Sequence, residues 1–261
     1  LMKKLILLAL LLFPLTARAW GPATHAVIAM RIHDIKSPEL AFAAGVPDIN
    51  AIIHDNPQVR SALKRLTHYE FDRLAPSRFR VGLASHNAVW GADYYAHLYY
   101  HPEEPVIFST RVITQLHHEF GITMQEAEDI FEMTMDYLNR IAWGPELGEL
   151  LAEGARNSGA WHDTLMVEAY AQPFADRTGY TLEYSETRIR GLMDAYRQLI
   201  IIFGGQLAGY DDFIHDAIPM LLDAYSGCGL EAASERFERC IELSADFEIE
   251  MDRIVEEMRL R

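Results

Sequence analysis

Apolar residues recur at spacings of three and four along most of the chain, which is the pattern of amphipathic α-helices. No useful stretch alternates between polar and apolar positions, so the sequence predicts no β-sheet. Proline, glycine and capping residues delimit the apolar segments. The pattern therefore predicts an all-α multi-helix bundle. The predicted helices cover residues 23–35, 38–45, 57–69, 80–100, 123–143, 145–154, 160–171, 185–203, 211–225 and 231–259.

The first 19 residues have a different pattern. Lys3 and Lys4 precede an apolar run over residues 5–15, and Ala17-Arg-Ala19 provides small residues at a cleavage position. This order is typical of a secretory signal peptide, and the run is too short to cross a membrane. We expect residues 1–19 to be removed, and residues 20–261 to form one exported domain, periplasmic or secreted, without a transmembrane segment.

Acidic residues outnumber basic ones by 38 to 23, which gives a net charge of -15. Removal of Lys3, Lys4 and Arg18 takes the net charge to -18, because no acid leaves with them. A field of this sign disfavours binding of duplex nucleic acid through general charge. A phosphate-bearing substrate would need local positive charge, which bound metal ions could supply.

The two cysteines, Cys228 and Cys240, are compatible with a disulfide or with two free thiols. The chain has no C-x-x-C motif, so cysteine is not the expected metal ligand. The strongest candidate chemistry lies instead among the histidines of the first half of the chain.

Residues 86–97 carry the strongest signal. His86, Asp93 and His97 stand at i, i+7 and i+11, which places them within about 40° of each other on one helix. Two imidazoles and a carboxylate on one apolar face are costly unless each has a partner. A shared metal ion would satisfy all three; zinc suits these ligands best, with manganese or iron as alternatives. Three separately hydrogen-bonded side chains remain the other interpretation.

Four further residues suit the same chemistry. Cleavage after Ala19 would give Trp20 a free α-amino group, a usable metal ligand when neutral, and His25 follows about one helical turn later. Asp48 follows Pro47 at a helix exit, and His68 closes the helix over residues 57–69. Each also has a structural interpretation: Trp20 could pack against the core and Asp48 could cap a turn.

Together these features resemble the zinc-dependent phospholipase C family, whose scaffold the fungal single-strand nucleases share. The resemblance covers about residues 20–136. It implies an all-α bundle that holds two or three zinc ions and hydrolyses phosphate esters, with phospholipid favoured as the substrate. It also implies that Asp48 bridges metals and acts as a general base. The implied ligands are Trp20, His25, Asp48, His68, His86, Asp93, His97 and Glu132.

The chain departs from the family pattern at two places. The family helix has His-x-x-x-Asp, whereas six residues separate His86 from Asp93, which requires a longer or bulged helix. The His-x-x-x-Glu element is missing, and three replacements are open: Glu128 with Glu132, His162 with Glu168, or the pair His117-His118 in a loop. The row of acids at 128, 132 and 136 is equally typical of a solvated helix face.

Two function classes follow from the sequence. One is a phosphodiester hydrolase of the phospholipase C or nuclease kind, and the other is a non-catalytic metal-binding envelope protein on the same scaffold. A serine-nucleophile hydrolase is disfavoured, because no G-x-S-x-G motif occurs. The sequence indicates neither an oligomeric state nor a role for residues 144–261.

Overall fold

A computed structural model of the protein describes residues 21–97, 108–209 and 211–261, with only the backbone at 211–214 and 225. Within these ranges the chain forms thirteen α-helices and two short 3-10 helices, with no strand, which confirms the all-α prediction. The α-helices are α1 (Pro22–His33), α2 (Pro38–Gly45), α3 (Pro57–Tyr69), α4 (Arg78–His86), α5 (Ala92–Ala96), α6 (Phe108–Phe120), α7 (Met124–Trp143), α8 (Glu146–Asn157), α9 (Ala160–Thr178), α10 (Leu182–Leu207), α11 (Asp211–Ser226), α12 (Leu230–Leu243) and α13 (Phe247–Arg259). The 3-10 helices are Val46–Ile52 and Phe71–Arg73.

Polar residues at the helix starts define many of these boundaries. Ser37 accepts a hydrogen bond from Leu40 N, and Asn56 accepts from two amides at the start of α3. Thr123 and Glu126 form the predicted capping box of α7. These side chains satisfy amides that the helix itself leaves without an acceptor, so they fix where each helix begins.

Helix α2 is the centre of the bundle. Its residues Leu40 to Gly45 are all buried, and α1, α4 and α8 pack around it. The 3-10 helix Val46–Ile52 continues directly from α2 and packs against α3 and α10. The segment that carries Asp48 is therefore held by the core on several sides.

The predicted helix over residues 80–100 is wrong as a single element. α4 ends at His86, a turn follows, and α5 begins at Ala92; residues 98–100 lie outside the described part. The cause is Asn87, whose side-chain oxygen accepts from Val89 N at 2.8 Å and Trp90 N at 2.9 Å. An asparagine that captures these amides offers the backbone an alternative to the helix.

Two further segments differ from the prediction. The expected helix over residues 231–259 is two helices, α12 and α13, separated by a bend at 244–246. The bend turns the apolar stripe of α13 onto α1, where Met251, Ile254 and Met258 are buried. Helix α6, over residues predicted as a loop, places His117 and His118 in its last turn.

Two other features bear on the earlier expectations. Cys228 and Cys240 are free thiols, so they form no disulfide in this structure. None of the described helices is both long and apolar enough to span a bilayer.

Candidate metal centre

Six of the predicted ligand residues come together in one cluster. They are His25 on α1, Asp48 on the first 3-10 helix, His68 in the last turn of α3, His86 at the end of α4, Asp93 on α5 and His97 directly after α5. Among the described residues, two groups place one ligand atom each within 4.8 Å of the others: His25, Asp48 and His86, and His68, His86 and Asp93. Two His/Asp groups that could hold metal ions are therefore present, and they share His86.

The turn between α4 and α5 brings His86, Asp93 and His97 to one place. Gly91 lies so close to the preceding helix end that a Cβ there would lie 2.6 Å from Asn87 N and from Ser85 O. The turn also pairs Ala88 N with His68 O at 3.0 Å, which ties it to the end of α3. The convergence therefore comes from a tight turn rather than from one helix stripe.

Two carboxylate oxygens lie near the same pair of imidazole nitrogens. His68 Nε2 and His86 Nε2 are 3.2 Å apart, Asp48 Oδ1 lies 3.5 and 3.7 Å from them, and Asp93 Oδ1 lies 3.9 and 4.0 Å from them. Tetrahedral coordination at 2.0–2.1 Å separates ligand atoms by about 3.4 Å. The observed nitrogen–nitrogen and nitrogen–oxygen distances bracket that value, so the two nitrogens have ligand spacing with each of the two carboxylate oxygens.

The hydrogen bonds of the His68 and His86 rings show which nitrogens carry protons and which face each other. His86 Nδ1 is 2.8 Å from Ala44 O, a group that only accepts, so Nδ1 carries the proton. Thr67 Oγ1 donates to Pro47 O at 2.9 Å and so accepts from His68 Nδ1 at 3.0 Å. When the rings are neutral, both Nε2 atoms present lone pairs to each other and to two carboxylates, an arrangement that a cation stabilises.

His25 extends the cluster through the other oxygen of Asp48. His25 Nε2 is 3.9 Å from Asp48 Oδ2, and the His25 ring stacks on His86 with centroids 3.9 Å apart. The two oxygens of Asp48 thus point to different histidines, as in a carboxylate that bridges two metal positions.

Burial and mutual charge set the protonation of the cluster. Burial lowers the pKa of His86 to about 4 and also lowers that of His25, although Asp48 and Asp93 oppose it. Burial raises the pKa of Asp48, but His86, His68 and His25 outweigh it and hold the pKa at about 2. At neutral pH, His25 and His86 are neutral and Asp48 is ionised, the forms that bind metal.

His97 lies at the other edge of the cluster between two carboxylates. Its Nε2 is 3.1 Å from Asp93 Oδ1, and its Nδ1 is 2.8 Å from Glu128 Oε1 on α7. Burial lowers its pKa, but these two carboxylates outweigh burial and raise the pKa to about 9. His97 must therefore lose a proton to bind a metal, which makes its affinity pH-dependent.

The acidic row on α7 is buried, so its interpretation as a solvated face is wrong. Glu128, Glu132 and Asp136 are 1%, 7% and 6% exposed. Burial raises the pKa of Glu132 well above its usual value, and Glu128 and Asp48 raise it further. Glu132 Oε1 has no hydrogen-bond partner within the described ranges. A buried carboxylate in this state needs a proton or a cation.

The third acid of the row has a different partner. Asp136 Oδ1 accepts from Thr24 N at 2.8 Å and from Thr24 Oγ1 at 2.7 Å, and Asn139 Nδ2 donates to the same hydroxyl. A Cβ on Gly21 would collide with the Asp136 carboxylate. Asp136 therefore caps α1 from a distant helix and fixes His25 relative to Glu128 and Glu132.

Tyr196 on α10 is a neighbour of the cluster that the sequence did not indicate. Its hydroxyl lies against Gly45, is buried, and has no hydrogen-bond partner in the described part of the chain. Burial raises the pKa of Tyr196, and Asp48 and Asp136 raise it further. No local pattern could have revealed this residue, because it reaches the site from about 150 positions away in sequence.

The other candidate ligands are Trp20, His117, His118, His162 and Glu168. Trp20 is outside the described residues, so its role stays a prediction. His117 Nδ1 contacts Ile122 O at 2.5 Å and His162 Nε2 lies 3.6 Å from Glu39, while Glu168 is exposed. Of the three proposed replacements for the missing His-x-x-x-Glu element, only Glu128 with Glu132 lies beside the cluster.

Comparison with known proteins gives no assignment, since no family model, curated protein or solved structure matches this chain.

Proposed function

We propose that this chain is an exported, zinc-dependent phosphodiester hydrolase that resembles zinc-dependent phospholipase C, with a phospholipid as the favoured substrate. His68, His86, Asp48 and Asp93 would hold one ion. Asp48 would share a second position with His25 and the amine of Trp20. His97, Glu128 and Glu132 would form a third.

One observation carries the proposal. The Nε2 atoms of His68 and His86 lie 3.2 Å apart, and one oxygen each of Asp48 and Asp93 lies 3.5–4.0 Å from both nitrogens. The rings are oriented by Ala44 O and Thr67 Oγ1. Like charges and lone pairs at such distances repel unless a cation lies between them. The same outer hydrogen bonds orient histidine ligands in metal sites generally.

The exposure of the cluster supports a catalytic rather than a sealed site. The side chains of Asp48 and His97 are 13% and 14% exposed, whereas those of His25, His68 and His86 are 0% exposed. A substrate would therefore meet Asp48 and His97 first. Asp48 is also the carboxylate with an oxygen toward each ligand group.

The chemistry divides between the ions and the chain. Bound ions would supply the positive charge and Lewis acidity that an acidic chain otherwise lacks. The low pKa of Asp48 keeps its carboxylate ionised at neutral pH, which suits a bridging ligand. In its second proposed role, the same carboxylate accepts a proton from the attacking water.

A second candidate is a non-catalytic metal-binding envelope protein. The complete burial of three imidazoles favours it, because structural metal sites are closed. The two candidates differ in metal content: we expect two or three zinc ions per chain for the hydrolase and at most one for the scaffold.

Elemental analysis of protein that begins at Trp20, combined with hydrolysis of bis(p-nitrophenyl) phosphate, tests the proposal. We expect two or three zinc ions and an activity that a chelator removes and added zinc restores. One zinc ion or none, without hydrolysis, would support the scaffold instead.

A matched variant tests the role of Trp20. A chain with one extra residue ahead of Trp20 lacks the free amine at that position, and we expect it to bind less zinc. Equal zinc content in the two proteins would remove Trp20 from the site.

A further inference from the structure

Lysine is rare in this protein, and the position of one lysine is informative. The chain has four, of which Lys3 and Lys4 lie in the predicted signal peptide. Of the other two, Lys36 is exposed and its Nζ lies 2.9 Å from Glu146 Oε2. Lys64 forms no ion pair or side-chain hydrogen bond with any residue in the described ranges.

Lys64 lies on α3, four residues before the cluster residue His68. Residues at i and i+4 are neighbours on one helix face. Lys64 is half-buried there, whereas Arg65, the next residue, is exposed on a face that lines a separate surface groove with Glu70 and Arg177. The two adjacent cations therefore face different parts of the molecule.

The carboxylates of the cluster do not neutralise Lys64. No carboxylate oxygen in the described part of the chain lies within 4 Å of its ammonium group. The Asp93 oxygen nearest the cluster is 3.1 Å from His97 instead.

A half-buried lysine one helical turn from a His/Asp cluster, in an acidic chain, can offer its ammonium group to an anionic partner. Lysine presents a compact point charge that suits a phosphate oxygen, and its aliphatic stem tolerates partial burial. We propose that Lys64 binds the phosphate group of the substrate and so determines the specificity of this site for phosphate anions. This inference rests on the proposed function, since it places the phosphate at the same cluster.

Inorganic phosphate is the probe, and its affinity for zinc-loaded protein is measured by isothermal titration calorimetry. Lys64→Gln removes the charge, and Arg65→Gln is the matched control, because it makes the same change one residue away on another face. We expect Lys64→Gln to weaken phosphate binding about 10–100-fold. Arg65→Gln should change it less than about twofold, and Lys64→Arg should recover part of the affinity.

Zinc content and melting temperature establish that each variant is folded and loaded. If Lys64→Gln loses zinc, Lys64→Met keeps the apolar stem and repeats the test of charge alone. Equal affinities in Lys64→Gln and Arg65→Gln would overturn the role of Lys64 and leave the hydrolase proposal standing. Failure of the zinc-loaded wild-type protein to bind phosphate at all would overturn both.

Two competitors distinguish the source of the phosphate. A soluble short-chain phosphatidylcholine represents the lipid headgroup, and bis(p-nitrophenyl) phosphate represents a diester without lipid. We expect both to compete with inorganic phosphate and both to bind Lys64→Gln more weakly, with the lipid the tighter of the two. Unchanged binding of both diesters to Lys64→Gln would overturn the inference.

Discussion

The helices before residue 144 and those after it bury different kinds of side chain. In the first part, the buried residues include three histidines, two aspartates, two glutamates and one arginine. In the second part, the buried polar residues in the described ranges are three serines: Ser158, Ser185 and Ser244. Charged groups there form ion pairs with solvent contact, such as Arg253 with Glu250.

This difference shows where the fold bears the cost of buried ionisable groups. Burying an ionisable group costs free energy unless it is paired. The second part avoids that cost, and its helices α8 and α10 pack on each other through apolar residues. The first part bears the cost mainly at one cluster, which is why that cluster is the candidate site.

The largest expected effect is on activity, which should depend on a carboxylate of the first part and not on one of the second. Asp48→Asn should lower diester hydrolysis about 10²–10⁴-fold, because it removes the carboxylate that is proposed to bridge the ions and to act as the base. Asp163→Asn is the matched control in the second part; it removes a carboxylate that pairs with Arg197 at 2.6 Å. Steady-state kinetics on zinc-loaded protein measures both. Comparable losses of activity in the two variants would contradict a functional difference between the two parts.

The pH dependence of the stability of metal-free protein tests the cost of burying Asp136 in the first part. Burial raises the pKa of Asp136 from 3.8 to about 7, despite the opposing hydrogen bonds from Thr24. An acid whose folded pKa exceeds its unfolded value stabilises the fold while protonated, so this contribution is full below pH 3.8 and is lost as pH rises through about 7.

Asp136→Asn lacks that titration. Between pH 4 and 8, we expect the free energy of unfolding of wild type to fall by up to about 4 kcal/mol relative to that of the variant. Urea denaturation at several pH values measures the difference. A constant difference across this range would show that the carboxyl group does not titrate as its burial requires.

Asp93→Asn tests whether the fold of the first part depends on metal. Metal that binds only the folded state adds about 2.7 kcal/mol when present at 100 times its dissociation constant. The variant should lose both bound zinc and the rise in melting temperature that zinc gives to wild type. If chelator leaves the wild-type melting temperature unchanged, metal makes no such contribution.

A pair of glycine substitutions gives the smallest effects, with opposite signs in the two parts. Gly21→Ala should destabilise by about 1–3 kcal/mol, because the methyl group collides with Asp136. Gly191→Ala, on an exposed face of α10 with open space around it, should stabilise by about 0.5–1 kcal/mol. Thermal denaturation measures both, and the same sign in both would contradict the packing described at Gly21.

The sequence predicted those parts of the fold and site that depend on local signals. Helix starts at Pro22, Ser37 and Thr123 follow from residues adjacent to the helix itself. The spacing over residues 86–97 and the resemblance to a known family pointed to the six residues that converge. The break after His86 was missed, because one asparagine side chain within an apolar run decides it. The break at 244–246 was missed because it depends on packing against α1.

The contacts that complete the site join residues far apart in the sequence, so local sequence patterns could not predict them. Asp136 meets Thr24 across 112 positions, and Tyr196 approaches Gly45 from α10. Burial of Glu128 follows from the same long-range packing, so the sequence could not distinguish a solvated acidic row from a buried one. Local pattern determines which side chains are available, and tertiary contacts determine which of them meet.

The Asn87–Gly91 turn has a consequence for finding other proteins of this kind. Because a turn joins His86 to Asp93, the number of residues between them is not bound to the helical period, and loops accommodate insertions and deletions that helices do not. A search pattern with a fixed gap would pass over chains that hold the same atoms in the same places. A useful pattern would specify Asp-x-x-x-His after a histidine that ends a helix and leave the intervening length free.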